Sequence, residues 1–379
     1  CVLRTRLPSS RRLVIRQKTR DEEKPIMERK RIAVLFGGRS SEHDVSLETA
    51  AAFMERVDRT VYEVVPVWIE RESGAWNIME DGVPAERTVQ RLEGAPRVRA
   101  ALSPDCFVRG LVLLEGANAL RVVRLDAALP LLHGKNGEDG TVQGAFELSG
   151  IPVIGCGAEC SALCMDKRLA HVVAGAAGVP SPHSVLVIRQ DFERAGVPSD
   201  AASVGFPCFV KPARAGSSIG ISLVERASEL ETALRLAFEH DDEAIVEEHV
   251  KGSEVGVAVV ERRGELLCGE PDEIELAGGF FDFHEKYSLE TSSIHVPARI
   301  SKEERDEVSM LARRVFRALG CRGFARVDFF RDADGRLLFN EVNTVPGLTA
   351  HSRFPMMMGA AGWTFERTVS EILAEGVGR

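Results

Sequence analysis

Apolar residues fall in short blocks separated by polar, glycine-rich stretches, the rhythm of strands alternating with helices. RIAVLFGG (31–38) is a continuous apolar run ending in two glycines, the pattern of a buried parallel strand entering a loop. SSEHDVSLETAAAFMERV follows as a helix, with Ser41, Asp44 and Ser46 as candidates for its N-terminal signal. A second strand, YEVVPVWI (62–69), completes a βαβ opening. That opening predicts an open α/β sheet binding ligands beyond the carboxyl ends of its strands. Residues 71–120 read as meander strands and loops. Residues 125–155 give a strand, the glycine-rich loop HGKNGEDG, and a helix ending at Ser149. One helix is expected from Ser161 to Pro180, with a start signal at Met165-Asp166-Lys167 and a stop at Gly178-Val179-Pro180. The strand CFVKPA then leads into RAGSSIGISLV, and a helix over 227–239 precedes EAIVEEHVKGSEVGVAVV, two strands around a Lys-Gly turn. Residues 277–295 form a long aromatic-bearing loop, which suits a functional lid. A helix over 302–319 ends at Gly320, RVDFFRDADGRLLFNEVN (326–343) reads as a hairpin turning at Asp332-Ala333-Asp334-Gly335, and a polar loop (343–355) precedes a final helix.

The hairpin brings acids onto neighbouring strands. Glu341 and Asn343 are two residues apart and share a face, and Asp328 on the other strand would complete a set of hard oxygen ligands of the kind that holds Mg²⁺. A solvated edge hairpin carries the same residue types, so two readings stand at this point. Lys211 on its strand, followed by Gly216-Ser217-Ser218, offers a point charge, backbone amides and hydroxyls to a phosphate, although no GK[ST] opens a helix as in a Walker A loop. Glu247 and Glu254 at strand ends fit either rim charges or partners of a base and ribose. His133 fits either a loop anchor or a substrate contact. FGGRSSEHDVS is not the GxGxxG fingerprint, which disfavours a nicotinamide dehydrogenase.

At 379 residues, two or three domains are expected. A net charge of −9 argues against a nucleic-acid or anionic-membrane partner, and an anionic substrate then requires local cations. No apolar run approaches a membrane span. Eight scattered cysteines suit a reduced cytoplasm. Cys156, Cys160 and Cys164 are spaced more widely than familiar zinc pairs and are expected to be buried or half-buried thiols. Residues 1–26 are Arg-rich with little periodicity and are expected to be a disordered or artefactual leader, with folding starting near Met27.

Seven motifs in order carry a family resemblance: FGGRSSEHDVSL, LHGKNGEDGTVQGAFELSGIPVIG, CMDK, VKPARAGSSIG, the EKY of the lid, GFARVDFF and NEVNTVPGLTAHS. From Arg31 onward the chain resembles the D-alanine–D-alanine ligase family. The lid and HSRFP look closest to its vancomycin-resistance branch, notably D-alanyl-D-serine ligases. The resemblance implies mixed α/β and α+β architecture, an ATP-grasp fold with an N-terminal Rossmann-like (pre-ATP-grasp) domain. Its boundaries are a substrate domain over 27–155, a small central ATP-grasp subdomain over 156–247, and a C-terminal subdomain with lid and metal site over 248–379. It also implies ATP and metal roles by residue: Lys167, Lys211 and Lys286 toward ATP phosphates, Glu247 and Glu254 toward adenosine, and Asp328, Glu341 and Asn343 toward two Mg²⁺ or Mn²⁺ ions. Glu42 would hold the ammonium of the first D-amino acid, with Ser217 and Tyr287 as hydrogen-bonded partners. Arg326 and Gly347 would stabilise reacting oxygens, and Ser352 would bind the carboxylate of the second substrate. A homodimer in the cytoplasm, working on small D-amino acids in peptidoglycan synthesis, is the family expectation.

The second substrate is where the chain departs from the common pattern. Arg353 replaces the hydrophobic residue that many D-alanyl-D-alanine members carry, and could turn the second subsite toward D-serine. Tyr287 matches the peptide-forming ligases, whereas the D-lactate branch has a histidine in this region and His284 lies nearby. Peptide-bond formation with D-alanine or D-serine is expected. A different ATP-grasp carboxylate–amine ligase would lack Glu42 and the EKY lid, and a non-catalytic nucleotide binder would have lost Arg326, Asp328, Glu341 or Asn343.

Overall fold

β1 (Lys30–Gly37) lies between β2 (Tyr62–Ile69) and β7 (Ala127–Pro130), parallel to both, and its last six residues are buried. The computed structural model describes residues 29–80, 92, 94–216, 219–276 and 292–378. Beyond β2 the sheet continues antiparallel through β3 (Trp76–Met79), β4 (Arg97–Leu102), β5 (Gly110–Leu113) and β6 (Val122–Arg124). Only the βαβ part thus has the expected parallel form, and the meander supplies the rest. The helix His43–Glu55 follows β1. Its N-cap is Glu42, with no side-chain cap, so none of Ser41, Asp44 and Ser46 caps it. Ser46 Oγ instead accepts from Gly37 N at 2.8 Å and donates to the Leu131 carbonyl at 2.5 Å, locking the end of β1 to the chain leaving β7.

A second sheet has the order β10-β9-β11-β8, made of β8 (Ser184–Ile188), β9 (Cys208–Pro212), β10 (Ser222–Val224) and β11 (Glu243–Glu248), with antiparallel pairings throughout. The helix Leu230–Ala237 covers it with Leu230, Ala233, Leu234 and Ala237, one helical face. The third sheet runs β15-β14-β12-β16-β17, with β13 (Glu265–Cys268) added to β12. Its members are β12 (Gly252–Arg262), β14 (Asp272–Leu276), β15 (Ser292–His295), β16 (Phe324–Asp332) and β17 (Leu337–Asn343). β11 and β12 therefore do not form a hairpin. The Lys-Gly turn between them passes the chain from one sheet to the next.

The helix Lys302–Ala318 opens with a capping box between Ser301 and Glu304. Val308, Leu311, Ala312, Val315 and Phe316 follow at helical spacing and are buried against β12 and β16. Each of the four larger side chains, Ala312 excepted, contributes roughly 1.5–3 kcal/mol relative to exposure. The helix expected from Ser161 to Pro180 is two helices, Ala158–Met165 and Lys167–Ala176, broken at Asp166. Asp166 is extended, and its carboxylate caps the second helix by accepting from Leu169 N at 2.9 Å. These helices bury Cys156, Cys160, Cys164, Ala170 and Ala174 in the core of the third sheet. The helices Arg353–Ala360 and Phe365–Val377 share another core with β1 and the His43–Glu55 helix, through Phe354, Met357, Val369 and Ile372. No described helix is long and apolar enough to cross a membrane.

Candidate active site

Loops at the carboxyl ends of β1 and β7 meet the β16–β17 hairpin across a cavity of about 390 Å³. Glu42, Lys167, Arg326, Glu341, Asn343, Gly347 and Ser352 all line it. Glu42 and Asn343, 301 positions apart in the chain, are brought together here by tertiary structure. Ser217, Lys286, Tyr287 and His284 lie outside the described residues.

Glu42 is buried at the start of its helix, and its backbone N–H donates to Ser40 Oγ at 3.2 Å. Ser40 Oγ in turn donates to the His133 carbonyl at 2.7 Å, which joins the first loop to HGKNGEDG. Gly134 has φ +70°, and a Cβ there would stand 2.7 Å from Glu42 Oε2. Glycine is needed at that position both for the turn and for the carboxylate to pass. The buried His133 ring lies 3.1 Å from Thr49 Oγ1, and burial lowers its pKa, with the Glu42 charge opposing. Glu138 accepts from Gly134 N at 2.8 Å, and burial, reinforced by Glu42, pushes its carboxyl up to about 8.

Lys167 is the first residue of its helix and is buried. Its Nζ donates to the Ala215 carbonyl at 2.9 Å and lies 3.3 Å from Glu341 Oε2, so it links the phosphate-type loop to the hairpin. Lys211 on β9 pairs with Glu247 on β11, one strand away, at 2.5 Å. Glu247 Oε2 is buried without a partner among the described residues, an acceptor that a ligand donor could satisfy.

On the hairpin, Asp328 stands directly across from Glu341, and Arg326 across from Asn343. A register shift follows Asp328. Asn343 Nδ2 donates to Asp328 Oδ2 at 2.9 Å, which leaves Asn343 Oδ1 as an acceptor. Two carboxylates and an amide oxygen form a hard donor set suited to a small divalent cation. Arg326 also holds Asp328, with Nε 2.9 and 3.0 Å from its two oxygens and Nη2 at 2.7 Å. Gly347 lets Ser352 approach, since a Cβ there would lie 2.8 Å from Ser352 Oγ. Ser352 Oγ is fixed by Thr349 N at 3.1 Å and Thr349 Oγ1 at 2.8 Å.

Arg353 behaves differently from the expectation of a residue free to reshape the second subsite. Its guanidinium forks onto Asp272 at 2.7 and 2.8 Å, reaches Glu254 at 2.9 Å and approaches Asp328 at 3.3 Å. Burial would lower its pKa, but Asp272, Asp328 and Glu254 together hold it well above the ordinary value. The physical reason is local: the buried Asp272 and Asp328 on β14 and β16 and the half-buried Glu254 on β12 converge under the helix that Arg353 begins, and a planar fork reaches all three. Glu254 is accordingly engaged at this cluster. Asp272, Glu138 and Thr49 were not singled out from the sequence. Glu138 sits within the HGKNGEDG motif, whereas nothing around Asp272 distinguishes it from a surface acid.

Comparison with known proteins gives the class of this fold and cleft, an ATP-dependent ligase. Two sequence-family models match, described as D-ala D-ala ligase N-terminus over residues 31–156 and D-ala D-ala ligase C-terminus over residues 173–374. The vancomycin/teicoplanin A-type resistance protein VanA of Enterococcus faecium is 41% identical over 351 residues, covering 92% of this chain and 98% of that protein. A putative D-alanine–D-lactate ligase of Streptomyces coelicolor is 43% identical over 352 residues, with 92% and 98% covered. The crystal structure of the VanG D-Ala:D-Ser ligase from Enterococcus faecalis superposes with a TM-score of 0.82 at 43% identity, covering 92% of this chain and 99% of that one. The chain belongs to the D-alanine–D-alanine ligase family.

Proposed function

We propose that this chain joins two D-alanines in an ATP-dependent reaction that passes through D-alanyl phosphate and releases ADP and phosphate. The observation that carries this reading is one cavity lined by an amino-group acceptor, Glu42, a phosphate-facing cation, Lys167, and the oxygen donors Glu341 and Asn343 beside Asp328. Glu42 holds the ammonium of the first substrate, aiming its carboxylate toward the hairpin. Lys167 and Lys211 hold ATP phosphates, and Glu247 Oε2 accepts from the adenine amino group. Glu254, for all its pairing with Arg353, is assigned to the adenosine, Lys286 to an ATP phosphate, and Ser217 and Tyr287 to hydrogen bonds with the first D-amino acid. Asp328, Glu341 and Asn343 hold Mg²⁺ or Mn²⁺, which when bound neutralises charge on the phosphate oxygens. Attack of the carboxylate on the γ-phosphate replaces a poor leaving oxygen with a good one. The amine held near Ser352 then attacks the acyl carbon, with Arg326 and the Gly347 backbone stabilising the oxygens that gain charge. The protein contributes positioning and charge, together with exclusion of water from a hydrolysable intermediate.

The units 27–155, 156–247 and 248–379 are proposed as the substrate domain and the two ATP-grasp subdomains, working as a cytoplasmic homodimer in peptidoglycan precursor synthesis. D-serine as second substrate is the alternative, supported by the 43% identity to a D-Ala:D-Ser ligase and not by Arg353, whose guanidinium is taken up by Asp272, Glu254 and Asp328. The test is identification of products from ATP, Mg²⁺ and D-alanine, alone and with D-serine or D-lactate added. The dipeptide D-alanyl-D-alanine is expected from D-alanine alone. Depsipeptide as the main product at neutral pH would overturn the reading.

A further inference from the structure

We propose that Cys156, Cys160, Cys164 and Cys321 form a buried structural site for a thiophilic divalent cation of the zinc class, separate from the oxygen-ligand hairpin. The sulfurs come from three places. Cys156 precedes the Ala158–Met165 helix, and Cys160 and Cys164 lie one turn apart on it. Cys321 lies 161 positions beyond Cys160, between the Lys302–Ala318 helix and β16. Cys160 Sγ is 3.8 Å from Cys164 Sγ and 3.5 Å from Cys321 Sγ. The Sγ atoms of Cys156, Cys160 and Cys321 all lie within 4.8 Å of one another. A tetrahedral ion with Zn–S near 2.3 Å sets its sulfurs about 3.8 Å apart, so the Cys156, Cys160 and Cys321 sulfurs need roughly 1 Å of closure at most, while Cys164, which lies outside that group and is joined to it through Cys160, must move closer to complete the set. All four thiols are buried and free.

The wide C-x₃-C-x₃-C spacing spoke for plain core thiols because a zinc pair on one segment is more closely spaced. Cys321 alters that argument, since the remaining ligand arrives from a distant segment and the local spacing no longer has to make a chelate alone. Four buried sulfurs match the structural type of zinc site rather than the catalytic type, which keeps an open position, although Cys164 also borders the candidate active-site cavity. The ion would brace the start of β16, which carries Arg326 and Asp328, against the helix that ends just before Lys167.

The test is metal content of the full chain purified from zinc-supplied cells and dialysed against a carboxylate chelator, which strips oxygen-ligated ions. About one zinc per chain is expected, falling at least about tenfold in Cys160→Ser and Cys321→Ser and unchanged in Cys106→Ser. Because the serine variants could fail to fold, cobalt added alone to the unaltered, metal-stripped chain provides a second readout. A thiolate-to-cobalt charge-transfer band with tetrahedral visible bands is expected. Zinc well below stoichiometry together with no such band, or zinc retained in a folded Cys160→Ser protein, would overturn the proposal. Neither outcome bears on the ligase reading, which uses none of these thiols.

Discussion

Replacing Arg353 by methionine keeps most of its stem and removes the fork. Three acids lose their shared cation, but unequally. Asp328 keeps Arg326, which contacts both of its oxygens, and Glu254 is the least buried of the three. Asp272 is 0% exposed and, among the described residues, keeps only the Gly256 N–H at 3.0 Å. An uncompensated buried charge of this kind costs about 3–5 kcal/mol. Asp272→Asn alone also breaks the fork, but it leaves Arg353 with Glu254 and Asp328. In the double variant the orphan is a neutral amide, whose unmet hydrogen bonding costs about 1–3 kcal/mol. A coupling of about 2 kcal/mol or more between the two positions follows. Urea unfolding of the four proteins, followed by tryptophan fluorescence and far-ultraviolet circular dichroism, measures it. Arg353→Met losing under about 1 kcal/mol, or additive single effects, would refute the view that Arg353 is the neutralising cation beneath the hairpin.

Glu341→Gln should cut D-alanine-dependent phosphate release by about 10²–10³-fold with the fold intact, because Lys167 keeps its bond to the Ala215 carbonyl. Unchanged turnover would remove Glu341 from the metal set. Lys211→Met should strand the buried Glu247 carboxylate and destabilise by about 3–5 kcal/mol, while raising the KM for ATP. Adding Glu247→Gln should restore stability but not ATP affinity, and recovery of both would make the pair purely structural. In the ligand-free protein the Glu138 carboxyl, ordinarily at 4.5, is raised to about 8. The folded state then binds the extra proton between those values, so this contribution to stability is complete below the lower one and lost as pH rises through the higher. Glu138→Gln should flatten that part of the profile of urea midpoints against pH, and parallel profiles for variant and parent would contradict it.

Much of the site was readable as residue types at short spacing. The strand-turn-strand of 326–343, the Lys211 strand with its Gly-Ser loop, and the FGGRSSEHDVS turn each follow from local pattern, and their motifs in order indicated the family. Other features depended on partners far away in the chain. Asp166 breaks a helix that periodicity alone would have continued, because its side chain caps the next turn. The apolar runs 243–248 and 252–262 look like hairpin arms, yet each finds better-matched neighbours in a different sheet.

The sequence alone determined the apolar blocks, the glycines that admit close approach, and the chemical types available for phosphate, cation and ammonium. Those are properties of neighbouring residues, and local sterics and hydrogen bonding settle them. Tertiary structure decided which charges meet. Arg353 could be read as a surface-loop cation near a substrate until β12, β14 and β16 brought Glu254, Asp272 and Asp328 beneath it. Cys321 likewise acquired meaning only beside Cys160. Burial makes such charges and thiols consequential, and burial is a property of the packed chain rather than of any stretch of it.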